Sequence, residues 1–396
     1  MRVIETDIVV VGAGPAGSTT ARFAAKGGAD VVMIEKRQEI GSPVRCAEGI
    51  SKPLLDKIDL KLDSKDIARQ VKGAKIVSPS GHVLTISEKQ AGNEVGIVLD
   101  RVFFDKHLAK LAADEGAEIM LKTSAVGLLK ENGQIKGVRA VSPSGELDIL
   151  AKCVVGADGF ESQIGRWGGI DTSLSPNDIT SCFQYRLTNI DIDPDYCEFT
   201  IGSMAPGGYV WIFPKNEDTA NVGLGIQLKQ LKKPGEVKAA LDRFISKDKR
   251  LAKGKPLDMV AGAVSICAPI EKTVTDNLLL VGDSARQIDP ITGGGISNAC
   301  IAGRIAGETL AHAVETGDFS SRGLQSYEQG WRDILENKQY RNWMAKEKLV
   351  KLSDEVLDKI IQALIEVGVE GLSALAILQA VAKRYPELVE EFKEFL

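Results

Sequence analysis

The chain has 396 residues, of which 44% are hydrophobic and 26% charged, with a formal net charge of -5. At roughly 100 to 200 residues per domain this length predicts two domains with room for a third, and a composition near the globular average excludes a disordered or fibrous chain. The acidic balance excludes a broad basic surface, so no nucleic-acid partner is expected.

In chain order, an apolar β-branched strand at Asp7–Val11 runs into glycines and a helix from about Pro15 to Gly27, and a second apolar strand, Val31–Glu35, closes a βαβ unit. Residues 101–115 place Phe104, Leu108 and Leu111 at helical spacing, and Glu118–Leu121 reads as the next parallel strand. Short strands follow, separated by the turns Asn132-Gly133 and Ser144-Gly145, and residues 153–157 return to a buried strand. Between about 178 and 270 the alternating segments CFQYRL, YVWIFP and NVGLGI predict an antiparallel sheet. DNLLLVGDSA (276–285) is again a buried strand, and the glycines 293–295 open a helix reaching about Glu315. From Ser321 onward the spacing is helical, with breaks near Gly368 and Gly371. The domains expected are therefore 1–177 with 271–318, 178–270, and 319–396. The clean apolar run Leu372–Ala382 is only 11 residues, a length that suits a core or interfacial helix and not a membrane span.

Six cysteines form no CxxC pair, which argues against zinc ribbons and thioredoxin-type centres and for reduced thiols. The three histidines, His82, His107 and His312, are scattered, so no metal site is expected. The N-terminus lacks a cleavable apolar leader, and a cytoplasmic location is expected, at most peripheral to a membrane.

Gly12-x-Gly14-x-x-Gly17, with Ala16 inside it, follows a strand and opens a helix, the setting in which glycines let a pyrophosphate approach backbone N–H groups. Glu35 ends the next strand at a spacing suited to ribose hydroxyls. The fingerprint alone fits NAD and FAD alike. It occurs once in complete form, so electrons are expected from an external donor, whether NAD(P)H, ferredoxin or another.

Leu278–Ala285, followed by Asp289-Pro290 and Gly293-Gly294-Gly295-Ile296, resembles the second FAD signature of glutathione-reductase-like flavoproteins. That resemblance implies FAD, with Asp283 on the ribitol and Gly295 and Ile296 at the flavin; an ordinary helix cap is the plainer reading of Asp283. Val155-Gly156-Ala157-Asp158-Gly159, with Ser162 and Arg166, resembles the Asp-Gly motif of aromatic hydroxylases, although the arginine falls one position late. Asp100-Arg101-x-x-Phe104-Asp105 resembles the helix whose arginine leans over the cofactor phosphates, and Ala125 matches a position that meets adenine.

Pro206-x-x-Tyr209-x-Trp211-x-Phe213-Pro214, together with Ser42–Gly49, resembles the geranylgeranyl reductases across the whole chain, with the archaeal ether-lipid branch nearest. The implied fold is an α/β, FAD-binding, glutathione-reductase-like (aromatic-hydroxylase type) Rossmann domain with an antiparallel-sheet substrate domain and a helical C-terminal subdomain. The implied activity is saturation of isoprenoid C=C bonds of prenylated glycerol ether phospholipids; an FAD-dependent monooxygenase or halogenase is the alternative. The resemblance puts Cys46, Ala47 and Gly49 at the isoalloxazine, with Arg45 positioned to lower the thiol pKa, although an inert packed cysteine is equally in character.

Tyr209, Trp211 and Phe213 share one face of a strand, either an aromatic wall for an extended hydrocarbon or simple core. Cys46 and Tyr209 are the candidate proton donors, beside a bound water. Tyr327, Trp331, Ile334 and Leu335 fall on one helix face with Lys338, which either meets a lipid phosphate, with Arg341 near, or snorkels to solvent.

Overall fold

The computed structural model describes residues 2–88, 90, 96–368 and 374–386. Ile8, Val9 and Val10 of the strand Arg2–Val11 are wholly buried, as a strand covered on both faces requires. The helix Pro15–Lys26 follows with proline in its first turn, where the missing N–H costs nothing. These elements centre an eight-stranded sheet whose main path runs Val274–Thr275, Leu278–Leu280, Gly145–Gly156, Arg2–Val11, Val31–Ile34, Glu118–Met120, parallel except for its first strand.

Residues 145–156 form one strand, not two. Its first half closes a hairpin with Gln134–Ser142 and its last three residues pair with Leu278–Leu280.

A second, seven-stranded sheet runs Lys255–Ser265, Ile179–Thr188, Ala220–Gln227, Val210–Pro214, Tyr196–Thr200, Gly73–Val77, Val83–Ser87. Its last two strands come from the N-terminal part of the chain: residues 73–87, which sequence assigns to the nucleotide domain, extend this sheet through the parallel pair of Gly73–Val77 with Tyr196–Thr200. Alternation sorts the strand Val210–Pro214 cleanly. Val210 and Ile212 pack with the helix Glu236–Lys247, while Trp211 and Phe213 face the other side.

On that side the helix Asp354–Val367 buries Ile360, Ile361 and Leu364 in the same cluster as Trp211, and Ala380 and Val381 of the helix Ala374–Arg384 join them, as a core helix would. The break at Gly371 and the start of the run at Leu372 lie outside the described residues. Among the described residues no helix is long and apolar enough to cross a membrane.

After Ser321, Tyr327 and Trp331 are fully buried and Leu335 nearly so, but Ile334 is 52% exposed, against expectation. The segment Arg332–Glu336 is a π-helix, whose wider turn shifts the register and carries Ile334 out of the apolar face.

Candidate functional site

A cavity of about 380 Å³ lies between the two sheets. Gly14, Ala16, Gly159, Asp283, Gly295 and Ile296 line it from the nucleotide side, the loop Arg45–Gly49 and Arg101 from another, and Gln184, Tyr209, Trp211 and Phe213 from the second sheet.

The three fingerprint glycines do different jobs. A Cβ on Gly12 (φ 108) would lie 2.3 Å from the Ala157 carbonyl oxygen, and one on Gly17 would lie 1.9 Å from the Gly12 oxygen, so Gly12 serves the close approach of two strand ends and Gly17 that of strand and helix. A Cβ on Gly14 would meet nothing within 4 Å, because Gly14 faces open cavity. Glu35 accepts the Ala13 N–H at 3.0 Å and the Arg37 N–H at 2.9 Å, which anchors the turn; it does not line the cavity.

Asp283 sits in the short 3-10 turn Gly282–Ala285 directly after a buried strand, facing the cavity, and burial raises its carboxyl above the usual range against the opposing charge of Arg101. Asp158 accepts the Ile164 N–H at 2.9 Å through one oxygen, while the other is buried without a partner. The helix Ile296–Thr316 begins at Gly295 with no side-chain cap, leaving its positive end at the cavity. Open space at Gly14, a desolvated carboxyl at Asp283 and an uncapped helix start fit FAD: Gly14 would take the pyrophosphate, Asp283 would accept from ribitol hydroxyls, and Gly295 and Ile296 would meet the flavin ring.

Cys46, Ala47 and Gly49 also line this cavity. The cation that acts on Cys46 is Arg101, not its neighbour Arg45, and the direction expected from Arg45 is overturned. Burial pushes the thiol pKa up, and Arg101 only opposes it, so the group stays protonated. Arg101 is itself mostly buried and paired with Asp105 at 2.7 Å, which rules out a surface arginine. Trp211 and Phe213 are both cavity wall and core, 8% and 4% exposed. The Tyr209 hydroxyl donates to the Thr292 carbonyl, and Phe199 meets Tyr209 and Phe213 edge to face.

Gln184 and Phe199, both lining the cavity, were not singled out from sequence. A polar residue in the middle of the alternating segment CFQYRL was the available signal for Gln184.

Two expectations are displaced. Ala125 does not line the cavity; it pairs with Ala140 and packs on the sheet core. Arg166, one position late for the Asp-Gly motif, is exposed, in keeping with that departure. Lys338 lies on a second cavity of about 240 Å³ together with Asp289, Asn298 and Gln339, its Nζ 3.6 Å from Asp289. Among the described residues one group has metal-ligand spacing, Asp63, Asp66 and His107, but Asp66 already accepts from the Asp63 N–H at 2.8 Å and meets His107 at 2.6 Å.

Residues 178–264 match the geranylgeranyl reductase catalytic domain, and residues 7–194 match the FAD dependent oxidoreductase family. The digeranylgeranylglycerophospholipid reductase of Thermoplasma acidophilum is 48% identical over 98% of this chain and 99% of its own length. The chain belongs to the digeranylgeranylglycerophospholipid reductase family. The reductase of Methanothrix thermoacetophila is 46% identical over 98% of this chain and 99% of its own length. A crystal structure of a geranylgeranyl bacteriochlorophyll reductase-like protein from Thermoplasma acidophilum superposes with a TM-score of 0.93 at 47% identity, covering 100% of both chains. A p-nitrophenol 4-monooxygenase from Pseudomonas putida, at 18% identity and a TM-score of 0.72 over 100% of this chain and 99% of its own, shares the fold alone. This member of the reductase family is thus an FAD-dependent oxidoreductase with the expected α/β architecture.

Proposed function

We propose that the chain saturates C=C bonds of geranylgeranyl groups on glycerol ether phospholipids, within membrane-lipid biosynthesis. The observation that carries this reading is the aromatic wall: Trp211 and Phe213 on one face of the strand Val210–Pro214, with Tyr209 just before it, line the same cavity as Gly14, Asp283 and Gly295. FAD, when bound and reduced, supplies a hydride. The residues of the chain do the rest. The wall holds an unactivated alkene at the near-attack distance of about 3 to 3.5 Å and excludes water.

Cys46 is the better of the two proton donors. The Cys46 thiol lines the cavity, whereas the Tyr209 proton is engaged with the Thr292 carbonyl. Electrons enter from an external donor, since the chain has one complete dinucleotide fingerprint. Such a substrate lives in membranes, and a peripheral membrane contact follows from the chemistry of the substrate. Lys338, on the second cavity, is the candidate contact for a lipid phosphate.

The test is anaerobic. The holoenzyme is reduced with dithionite, mixed with a digeranylgeranylated glycerophospholipid and analysed by mass spectrometry, where each saturated bond adds two hydrogens. Flavin that stays reduced beside an unaltered lipid refutes the reading.

A further inference from the structure

A buried ionic cluster lies beside the cavity, and none of the steps above uses it. Its centre is Glu48, which is fully buried yet holds a left-handed backbone (φ 79), a conformation that a non-glycine residue keeps only where its surroundings impose it. One carboxylate oxygen accepts from Lys215 Nζ at 2.7 Å, Asn221 Nδ2 at 2.5 Å and Arg186 Nη2 at 3.2 Å. The other accepts the Arg101 N–H at 2.9 Å. Arg186 and Asn221 lie on neighbouring strands of the second sheet and Lys215 directly follows a third, whereas Arg101 opens the helix Arg101–Asp114.

The loop carrying Glu48 is pinned at every step. The Cys46 carbonyl accepts from Gln184 at 3.1 Å, the Ala47 carbonyl from Asn221 at 3.3 Å, and the Glu48 carbonyl from the Leu99 N–H at 2.8 Å. The Glu48 N–H in turn donates to Cys46 Sγ at 3.2 Å.

We propose that Glu48 is a positioning residue, clamping the Arg45–Gly49 loop to the second sheet so that the Cys46 thiol and Arg101 stand at a fixed place against the aromatic wall. Two cations and an amide converge on one carboxylate out of water, an arrangement that holds only while every arm is made. Removing the acceptor would leave Lys215 and Arg186 facing each other and release the loop between its flanking strands. The assignment rests on the reductase reading only for its effect on turnover; the effect on Cys46 does not depend on it.

The experiment uses the FAD-loaded enzyme and Glu48→Gln, with Lys215→Met as a second variant that keeps Glu48, and Lys215→Arg as the conservative control. Iodoacetamide labelling is followed cysteine by cysteine through peptide mass spectrometry, alongside kcat and KM. Labelling of Cys46 should quicken by about tenfold in Glu48→Gln and Lys215→Met, as expected for losing a hydrogen bond to a charged group, with the buried Cys153 and Cys300 unaffected, kcat lowered and KM nearly unchanged. Lys215→Arg should restore slow labelling.

Unchanged Cys46 labelling and kcat in the folded variants overturns the proposal. So does equal acceleration at all six cysteines, which would mean that Glu48 supports the fold at large. Parental labelling kinetics that respond as stated, in an enzyme that reduces no prenyl lipid, would sink the reductase reading and leave Glu48 in its role.

Discussion

Gln184 holds Trp211 and Cys46 with one amide: its oxygen accepts the indole N–H at 2.8 Å and its nitrogen donates to the Cys46 carbonyl at 3.1 Å. This buried side chain links the aromatic wall directly to the cysteine loop, beside the hydrogen bonds that Glu48 and Ala47 make to the same sheet. Gln184→Leu should cost about 1 to 3 kcal/mol, because it leaves the indole N–H unsatisfied, and should change the mixture of partly saturated products. Gln184→Glu keeps the Trp211 arm and loses the Cys46 arm, separating the two effects. Urea unfolding and product mass spectra check both; an unaltered product mixture would show that the slot is set elsewhere.

Gly14 and Gly17 should respond oppositely to a methyl group. Gly14→Ala places its Cβ in open space at a φ of -76, so stability should hold while FAD affinity falls. Gly17→Ala drives its Cβ into the Gly12 carbonyl at 1.9 Å, and the strand and helix must part; a loss of at least about 1 to 3 kcal/mol is expected. Calorimetry with flavin titration separates them, and equal flavin affinity for Gly14→Ala and parent would remove the pyrophosphate from that place.

Asp283 predicts a pH signature. Burial raises its carboxyl above the ordinary value. The folded, flavin-free protein then binds this proton more tightly than the unfolded chain. Its cost is absent below the ordinary carboxylate range, grows as pH rises through that range, and is complete above the folded value. Flavin-free Asp283→Asn should thus be more stable than flavin-free parent at neutral pH, with the gap closing toward acid, while its FAD affinity is lower. Urea unfolding across pH gives the first result and flavin titration the second; a gap independent of pH would mean that the carboxyl is not desolvated.

Lys338→Ala should weaken phosphorylated prenyl lipids by about 1.5 to 3 kcal/mol and barely touch uncharged prenyl alcohols, the scale of a hydrogen bond to a charged group. Equilibrium binding of both ligands decides it. Asp289 would keep its 2.7 Å contact with Asn342, so the flavin-side loop should stay in place. Equal losses for both ligands would show that the lysine acts through Asp289, and the phosphate contact would be wrong.

Features encoded within a dozen residues were legible in the sequence. The strand–glycine–helix unit and the alternation of Tyr209, Trp211 and Phe213 follow from local period and turn chemistry, and both stand where the sequence puts them. What depended on distant pairing was not legible. Strands 73–87 look like insertions in the nucleotide half because their partner, Tyr196–Thr200, lies more than a hundred residues on. Arg45 was the natural cation for Cys46 by adjacency, whereas Arg101 reaches it only through the fold. Glu48 drew no reading of its own, since nothing near it in sequence announces Lys215, Arg186 and Asn221. The π-turn at Arg332–Glu336 moved Ile334 because an extra residue in one turn leaves no mark on a helical wheel.

The crossing of residues 73–87 into the second sheet also bears on how the chain is born. A ribosome emits them long before Tyr196–Thr200, so these two strands emerge with an unpaired edge and must wait. The first sheet waits as well, because Leu278–Leu280 is needed to flank Gly145–Gly156. Neither layer can be finished by a nascent N-terminal half, and the two must close late and nearly together. A truncation after residue 177 should therefore yield an aggregating fragment in place of a free-standing nucleotide domain, and a chaperone would find its clients among the half-made chains.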